Sequence, residues 1–170
     1  MFETKNVLLG LGGNEAGPWG EPASTILRAL AELGNQGVTI ERVSQFVATA
    51  PVGPVAQASY VNAAAAARTS VGPEALLVLA KRLESAAGRR SGPRWGPRPL
   101  DIDILDFGGQ VMGWQTVHDP MHPAHLVLPH PELHKRAFVL EPLAEIAPDW
   151  RHPVFGGTAR QMLDALPDRV

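Results

Sequence analysis

The chain has 170 residues, 45% of them hydrophobic and 19% charged, the balance of a single folded domain spanning 1–170 and not of a disordered segment. A net charge of −2 argues against a large nucleic-acid footprint, and the absence of cysteine excludes disulfides, a thiolate nucleophile and a Cys-ligated metal. Met1 to Lys5 lacks the layout of a signal peptide and no apolar run reaches the roughly 18 residues that span a bilayer, so the expectation is a soluble, cytoplasmic protein, monomeric by default.

Taken in order, Val7-Leu8-Leu9 reads as a buried strand, ended by a tight turn at Gly10, Gly12 and Gly13. The glycines do not fit a dinucleotide fingerprint, whose third glycine would fall at Glu15, nor a phosphate loop, since no Gly-Lys-Ser/Thr follows. Ser24 to Leu33 reads as a helix with a stripe of Ile26, Leu27, Leu30 and Leu33, an N-cap at Ser24 and a C-cap at Gly34. Val38 to Val47 is rich in β-branched residues and predicts a strand bent near Ser44, followed by a loop at Pro51, Gly53 and Pro54. Tyr60-Val61-Asn62 and five alanines predict a helix on propensity alone. Pro73 to Ala87 predicts another, stopped by Gly88. A basic loop, Arg89 to Pro99, leads into a strand from Leu100 to Phe107, and Gly108-Gly109 predicts a hairpin back through Gln110-Val111-Met112. Thr158 with Gln161 forms a capping box for a closing helix to Leu166. Strands and helices mix without strict alternation, which points to an α+β fold.

The chemistry concentrates around Asp101-Ile102-Asp103-Ile104. On a strand the two aspartates share one face, about 7 Å apart at their Cα atoms, close enough to serve one ion or an ion pair. Oxygen ligands of this kind suit magnesium, though two solubilising aspartates on a solvent-facing strand would look the same. Arg89, Arg90, Arg94 and Arg98 precede them, and guanidinium groups bind phosphate oxygens bidentately, so the pair and the arginines together favour phosphoryl chemistry over a merely solvated basic loop. His118, His122, His125, His130 and His134 raise the question of zinc, but Pro120, Pro123 and Pro129 prevent the helical spacing that would align them. Tyr60 and Phe138 are core aromatics by default, although such rings also stack on planar heterocycles. Other readings are an ATP-dependent phosphotransferase acting on a planar alcohol and an RNA-binding module, the second disfavoured by the charge and by an aromatic content of 6%.

Arg94 to Ile104, with Leu83-Glu84 and Gly88-Arg89 before it, resembles the 6-hydroxymethyl-7,8-dihydropterin pyrophosphokinases of folate biosynthesis nearly residue for residue. Gly10 to Asn14, Thr49 to Pro54, Tyr60 to Asn62, Leu128 to Pro131, Arg136 to Phe138 and Glu145 to Pro148 support the likeness in the same order. The resemblance implies a ferredoxin-like α+β sandwich with a mainly antiparallel sheet, in which Tyr60 to Ala67 is a strand. It also implies transfer of pyrophosphate from ATP, the co-substrate, to the pterin, with AMP released and two magnesium ions held by Asp101 and Asp103. Arg89 and Arg98 would act on the phosphates during transfer, with Arg89 and Arg94 on a mobile lid. Glu84, Arg94, Arg98, Ile104, His130 and Arg136 would hold ATP. Tyr60 and Phe138 would sandwich the pterin, Thr49, Pro51, Val52 and Asn62 would line its edge, and Trp95 would close over it. The chain departs from the family pattern at Gly13, where serine is usual, at Lys81, where a glutamine can contact nucleotide, at His125 and Val127, and in a longer segment from Trp114 to Pro123.

Overall fold

In the computed structural model, which describes residues 3–50, 58–90, 92, 96–117, 121 and 126–167, the elements run β1 (Lys5–Gly13), α1 (Pro22–Asn35), β2 (Val38–Val43), β3 (Val47–Thr49), β4 (Tyr60–Thr69), α2 (Pro73–Ala86), β5 (Asp101–Phe107), α3 (Ala137–Ile146) and α4 (Ala159–Asp164). All strand pairs are antiparallel, in the order β2-β4-β1-β5 with β3 also on β4. Counting β2 and β3 as one broken strand, this is the β-α-β-β-α-β order of a ferredoxin-like fold.

Alternation divides the sheet between two cores. Val7, Leu9 and Leu11 of β1, Ala63, Ala65 and Ala67 of β4, and Ile102 and Ile104 of β5 pack beneath Ile26 and Leu33 of α1 and Leu76 and Leu83 of α2. On the other face Leu8 and Leu105 pack with Leu140 and Leu143 of α3 and Met162 and Leu163 of α4. A register shift opposite Leu8 and Leu9 puts Leu105 in the second core and returns Phe107 to the first. The second core covers only part of its face. The end of the sheet where β1 finishes and β4 and β5 begin is left open as a cleft.

Several sequence expectations change. Tyr60 to Ala67 is a strand and not the helix that alanine propensity suggests. Pairing with β1 on one side and β2 and β3 on the other gives these residues ladder partners, and alanine is small enough to lie buried directly under α1 and α2. α1 starts at Pro22, with Glu21 at the N-cap and no side-chain cap, so Ser24 lies inside it. Gly34 is also helical, and the positive φ falls on Gly37. Gly10, Gly12 and Gly13 lie in β1 and do not form a turn. The bend at Ser44 is real. Its hydroxyl accepts the Ala64 amide and separates β2 from β3. The chain turns at Gly108 and Gly109, both with positive φ, but Met112 bridges Leu128 and does not return along β5. The capping box of Thr158 and Gln161 is present, and α4 closes at Asp164. Among the described residues no helix is long and apolar enough to cross a membrane.

Behind the second core, His152 is buried, with Nδ1 accepting the amides of Val154 and Phe155 at 3.1 Å each and the ring stacked on Phe155. Burial, helped by His134, pushes its pKa from 6.5 down to about 4. The fold therefore favours the neutral ring. The associated stability is present above the unfolded value of 6.5 and is lost as pH falls toward 4, at up to about 1.4 kcal/mol per pH unit. Thermal melts of wild type and His152→Gln across pH 4 to 7 check this: the wild type is expected to lose melting temperature more steeply on the acid side of 6.5.

Candidate active site

The cleft is built first from what the strands omit. A Cβ at Gly12 on β1 would stand 2.7 Å from Asn62 Oδ1, and one at Gly13 would run into the Pro99 carbonyl. These close approaches let the segment before β5 fold over the end of β1. Asn14 clasps it, donating its backbone amide to the Arg98 carbonyl at 3.0 Å, accepting the Arg98 amide on Oδ1 at 3.0 Å and donating from Nδ2 to the Ala58 carbonyl at 2.9 Å.

α2 supplies the next wall. Its C-terminus closes with the Arg89 amide on the Glu84 carbonyl at 3.0 Å around Gly88, whose φ of +103° and 2.6 Å approach of a Cβ to Pro18 Cδ require glycine. The chain thus leaves the helix with Arg89 aimed back at Glu84. Glu84 is buried, and its Oε2 accepts the Ile102 amide at 2.8 Å while Oε1 meets Arg89 Nη1 at 2.9 Å and Lys81 Nζ at 3.3 Å. Burial raises the Glu84 pKa, the Ile102 amide opposes that, and the Asp101 charge adds to it. Burial draws the Arg89 guanidinium down, but Glu84 and then Asp101 outweigh it, and the pKa lies above its ordinary value.

β5 presents Asp101 and Asp103 to the cleft while Ile102 and Ile104 point into the core, as the alternation predicts. Arg89 Nη1 lies 2.8 Å from Asp101 Oδ1 and Arg98 Nη1 lies 3.5 Å from Asp101 Oδ2. Burial at the cleft floor, followed by the Asp101 charge, pushes the Asp103 carboxyl up to about 7 against the pull of Arg136. His130 sits beside it. Its amide donates to the Leu105 carbonyl at 2.9 Å, and Nδ1 accepts the Glu132 amide at 3.1 Å, which leaves the ring proton on Nε2, 3.8 Å from Asp103 Oδ1. Burial and then Arg136 push His130 down to about 4, so this contact is between a neutral imidazole and a carboxyl and is not an ion pair.

The opposite wall comes from β3, β4 and the start of α3. Asn62 Nδ2 donates to Thr49 Oγ1 at 2.6 Å, and Tyr60, its hydroxyl pKa raised by burial, donates to the Gly96 carbonyl at 3.2 Å. Phe138 lines the cleft in the first turn of α3, with the Arg136 guanidinium 5.6 Å from its ring centre. The cleft, about 1080 Å³, is at the upper end of ligand-site volumes and has room for two small ligands side by side.

Of the residues singled out in the sequence, Thr49, Tyr60, Asn62, Glu84, Arg89, Arg98, Asp101, Asp103, Arg136 and Phe138 share this cleft. Ile104 does not, because its side chain lies in the first core and only its backbone is left for a ligand. His134 packs against Trp114, His152 and Phe155 and does not line the cleft. Pro51, Val52, Arg94, Trp95, His118, His122 and His125 lie outside the described residues. Asn14 and α3 escaped the sequence reading. An asparagine after a glycine run looks like a turn, and Pro142 inside α3 hides a helical stripe. Among the described residues no three His, Asp or Glu side chains converge as a ready metal cage. Two hard carboxylates facing open space still fit magnesium, which completes its shell from water and phosphate oxygens.

Three comparisons agree with this architecture. The family profile described as 7,8-dihydro-6-hydroxymethylpterin-pyrophosphokinase (HPPK) matches residues 8–148. The 2-amino-4-hydroxy-6-hydroxymethyldihydropteridine pyrophosphokinase of Synechocystis is 36% identical over 94% of this chain and 75% of its own, and that of Pseudomonas aeruginosa is 38% identical over 96% and 93%. Plasmodium falciparum HPPK-DHPS superposes with a TM-score of 0.68 at 17% identity, over 96% of this chain and 45% of the longer one, a likeness of fold. The chain belongs to the 7,8-dihydro-6-hydroxymethylpterin-pyrophosphokinase family.

Proposed function

We propose that this chain, as a single domain over 1–170, carries out the reaction of its family, pyrophosphate transfer to 6-hydroxymethyl-7,8-dihydropterin in folate biosynthesis, with ATP as donor and AMP as product. The observation that carries the reading is the meeting of Asp101 and Asp103 with Arg89 and Arg98 on the floor of a cleft large enough for both substrates. Asp101 and Asp103 would hold magnesium, which would supply charge neutralisation at the phosphates. Arg98, held by Asn14, and Arg89, held at the end of α2, meet the phosphate oxygens bidentately and stabilise charge moving toward AMP as the α-β bridge breaks. Glu84, Ile104 through its backbone, His130 and Arg136 hold the nucleotide, together with Arg94. Tyr60 and Phe138 stack on the pterin, whose edge meets Asn62 and Thr49, while Pro51, Val52 and Trp95 take the pterin-binding roles that the family resemblance implies.

An ordinary kinase directs the acceptor hydroxyl at the γ-phosphorus and releases ADP, whereas pyrophosphate transfer requires attack at the β-phosphorus. Incubation with ATP, magnesium and the pterin alcohol is expected to yield one AMP and no ADP per pterin converted, and removal of magnesium with a chelator is expected to stop it. ADP as the main nucleotide product would move the chain to another phosphotransferase class even with a pterin as acceptor.

A further inference from the structure

In the free protein Asp101 is already satisfied by a cation of the chain itself. A single nitrogen, Arg89 Nη1, stands 2.8 Å from Asp101 Oδ1 and 2.9 Å from Glu84 Oε1, so the guanidinium is wedged between the two acids. A hard cation held by Asp101 at about 2.1 Å, on either oxygen, would bring its charge close to that guanidinium. Arg89 in this position competes with a metal ion for the charge of Asp101. We infer that Arg89 is a resident counter-ion that fills the metal side of Asp101 until nucleotide phosphates draw it away, so that metal and nucleotide enter together. This rests on the reading of Asp101 and Asp103 as the metal carboxylates.

The surroundings suit such an exchange. The Arg89 backbone is fixed by its amide on the Glu84 carbonyl, so the guanidinium can swing without moving the helix end. Its side chain is 27% exposed and borders the cleft, within reach of an entering phosphate. Glu84, buried and unable to shed its charge into water, keeps Lys81 Nζ at 3.3 Å when Arg89 leaves. Lys81 thus serves as a reserve cation for the acid that Arg89 deserts. The leaving guanidinium trades a carboxylate for a phosphate, and Asp101 is released in the same motion.

Manganese binding, read by electron paramagnetic resonance, tests this without turnover. In nucleotide-free protein, Arg89→Gln is expected to bind Mn²⁺ about tenfold more tightly than wild type, because a competing cation has gone. With a non-hydrolysable ATP analogue present the order is expected to reverse, since the variant then lacks a phosphate ligand. Arg90→Gln removes the same charge from a neighbouring exposed residue bordering the cleft, and is expected to leave nucleotide-free Mn²⁺ binding near wild type. Arg89→Met, which keeps the apolar stem, serves as second variant should the glutamine disturb folding. Equal tightening by Arg90→Gln would reduce the effect to net charge and overturn the inference, as would unchanged or weaker Mn²⁺ binding by both Arg89 variants. If Asp101→Asn bound Mn²⁺ as wild type does in the presence of the analogue, the fault would lie with the metal reading itself.

Discussion

Asp103→Asn is expected to lower turnover by about 10²- to 10³-fold while leaving the circular dichroism spectrum and the melting temperature at or above wild type. The two halves of this expectation come from different neighbours. Activity falls because an amide cannot supply the negative oxygen that holds a hard cation against the phosphates. Stability holds because the fold gains nothing from the Asp103 charge: the side chain faces the cleft, Asp101 repels it, and the core residues Ile102 and Ile104 point the other way. Burial lifts its carboxyl from 3.8 to about 7, so the folded state resists ionisation, and the resulting loss of stability is complete above pH 7 and absent below the unfolded value. The variant should therefore melt slightly higher than wild type at pH 8, with the gap closing as the solution is acidified. Asp101→Asn should be equally inactive but without that gain, since Arg89 and Arg98 lose the Asp101 charge. Wild-type turnover in either variant would remove the metal assignment.

Glu84→Ala is expected to be the most destabilising of the changes at the cleft, by about 2–4 kcal/mol, and to abolish activity with it. Truncation strands the Ile102 amide inside the protein with no acceptor, opens a void beneath α2, and frees the tether that returns Arg89 toward the strand. Lys81 and Arg89 reach water and contribute little to the loss, so the cost lies mainly in the amide and the void. Glu84→Gln separates these terms. Its carbonyl can still accept the Ile102 amide, so most of the stability should return, while the missing charge leaves Arg89 unanchored and turnover low. A melting temperature for Glu84→Ala within a degree of wild type would show that the contact with β5 is unimportant.

How much of this was legible depended on whether the determining contact was local. The Asp101 to Ile104 alternation, the stop at Gly88 and the Thr158 box are each set by residues a few positions apart, and each appears as expected. The alanine run could not be read that way. Its helix propensity is genuine, but its strand neighbours lie across the sheet, at β1 and β2, and its small size matters only once α1 and α2 rest on it. The glycines of β1 failed for the same reason, because what demands them is Asn62 and Pro99, far along the chain. The resemblance, drawn from the same text, corrected the strand and gathered the cleft residues, but it did not reveal Asn14 as the clasp on Arg98 or the Arg89 bridge between two acids.

Among the described residues β5 has a strand neighbour on one side only, and on the other its Ile102 amide is taken by Glu84 and its Leu105 carbonyl by His130. Groups proposed to hold nucleotide are therefore also what keeps this sheet edge from offering bare hydrogen-bonding groups to a second molecule. Substitution at these positions therefore has two effects at once. A substitution that retunes ligand affinity by withdrawing Glu84 or shifting the His130 segment also leaves a strand of mostly apolar residues, Ile102 to Leu105 and Phe107, open to pairing between chains. Loss of solubility on expression, ahead of any measured loss of catalysis, is the outcome to expect from such variants.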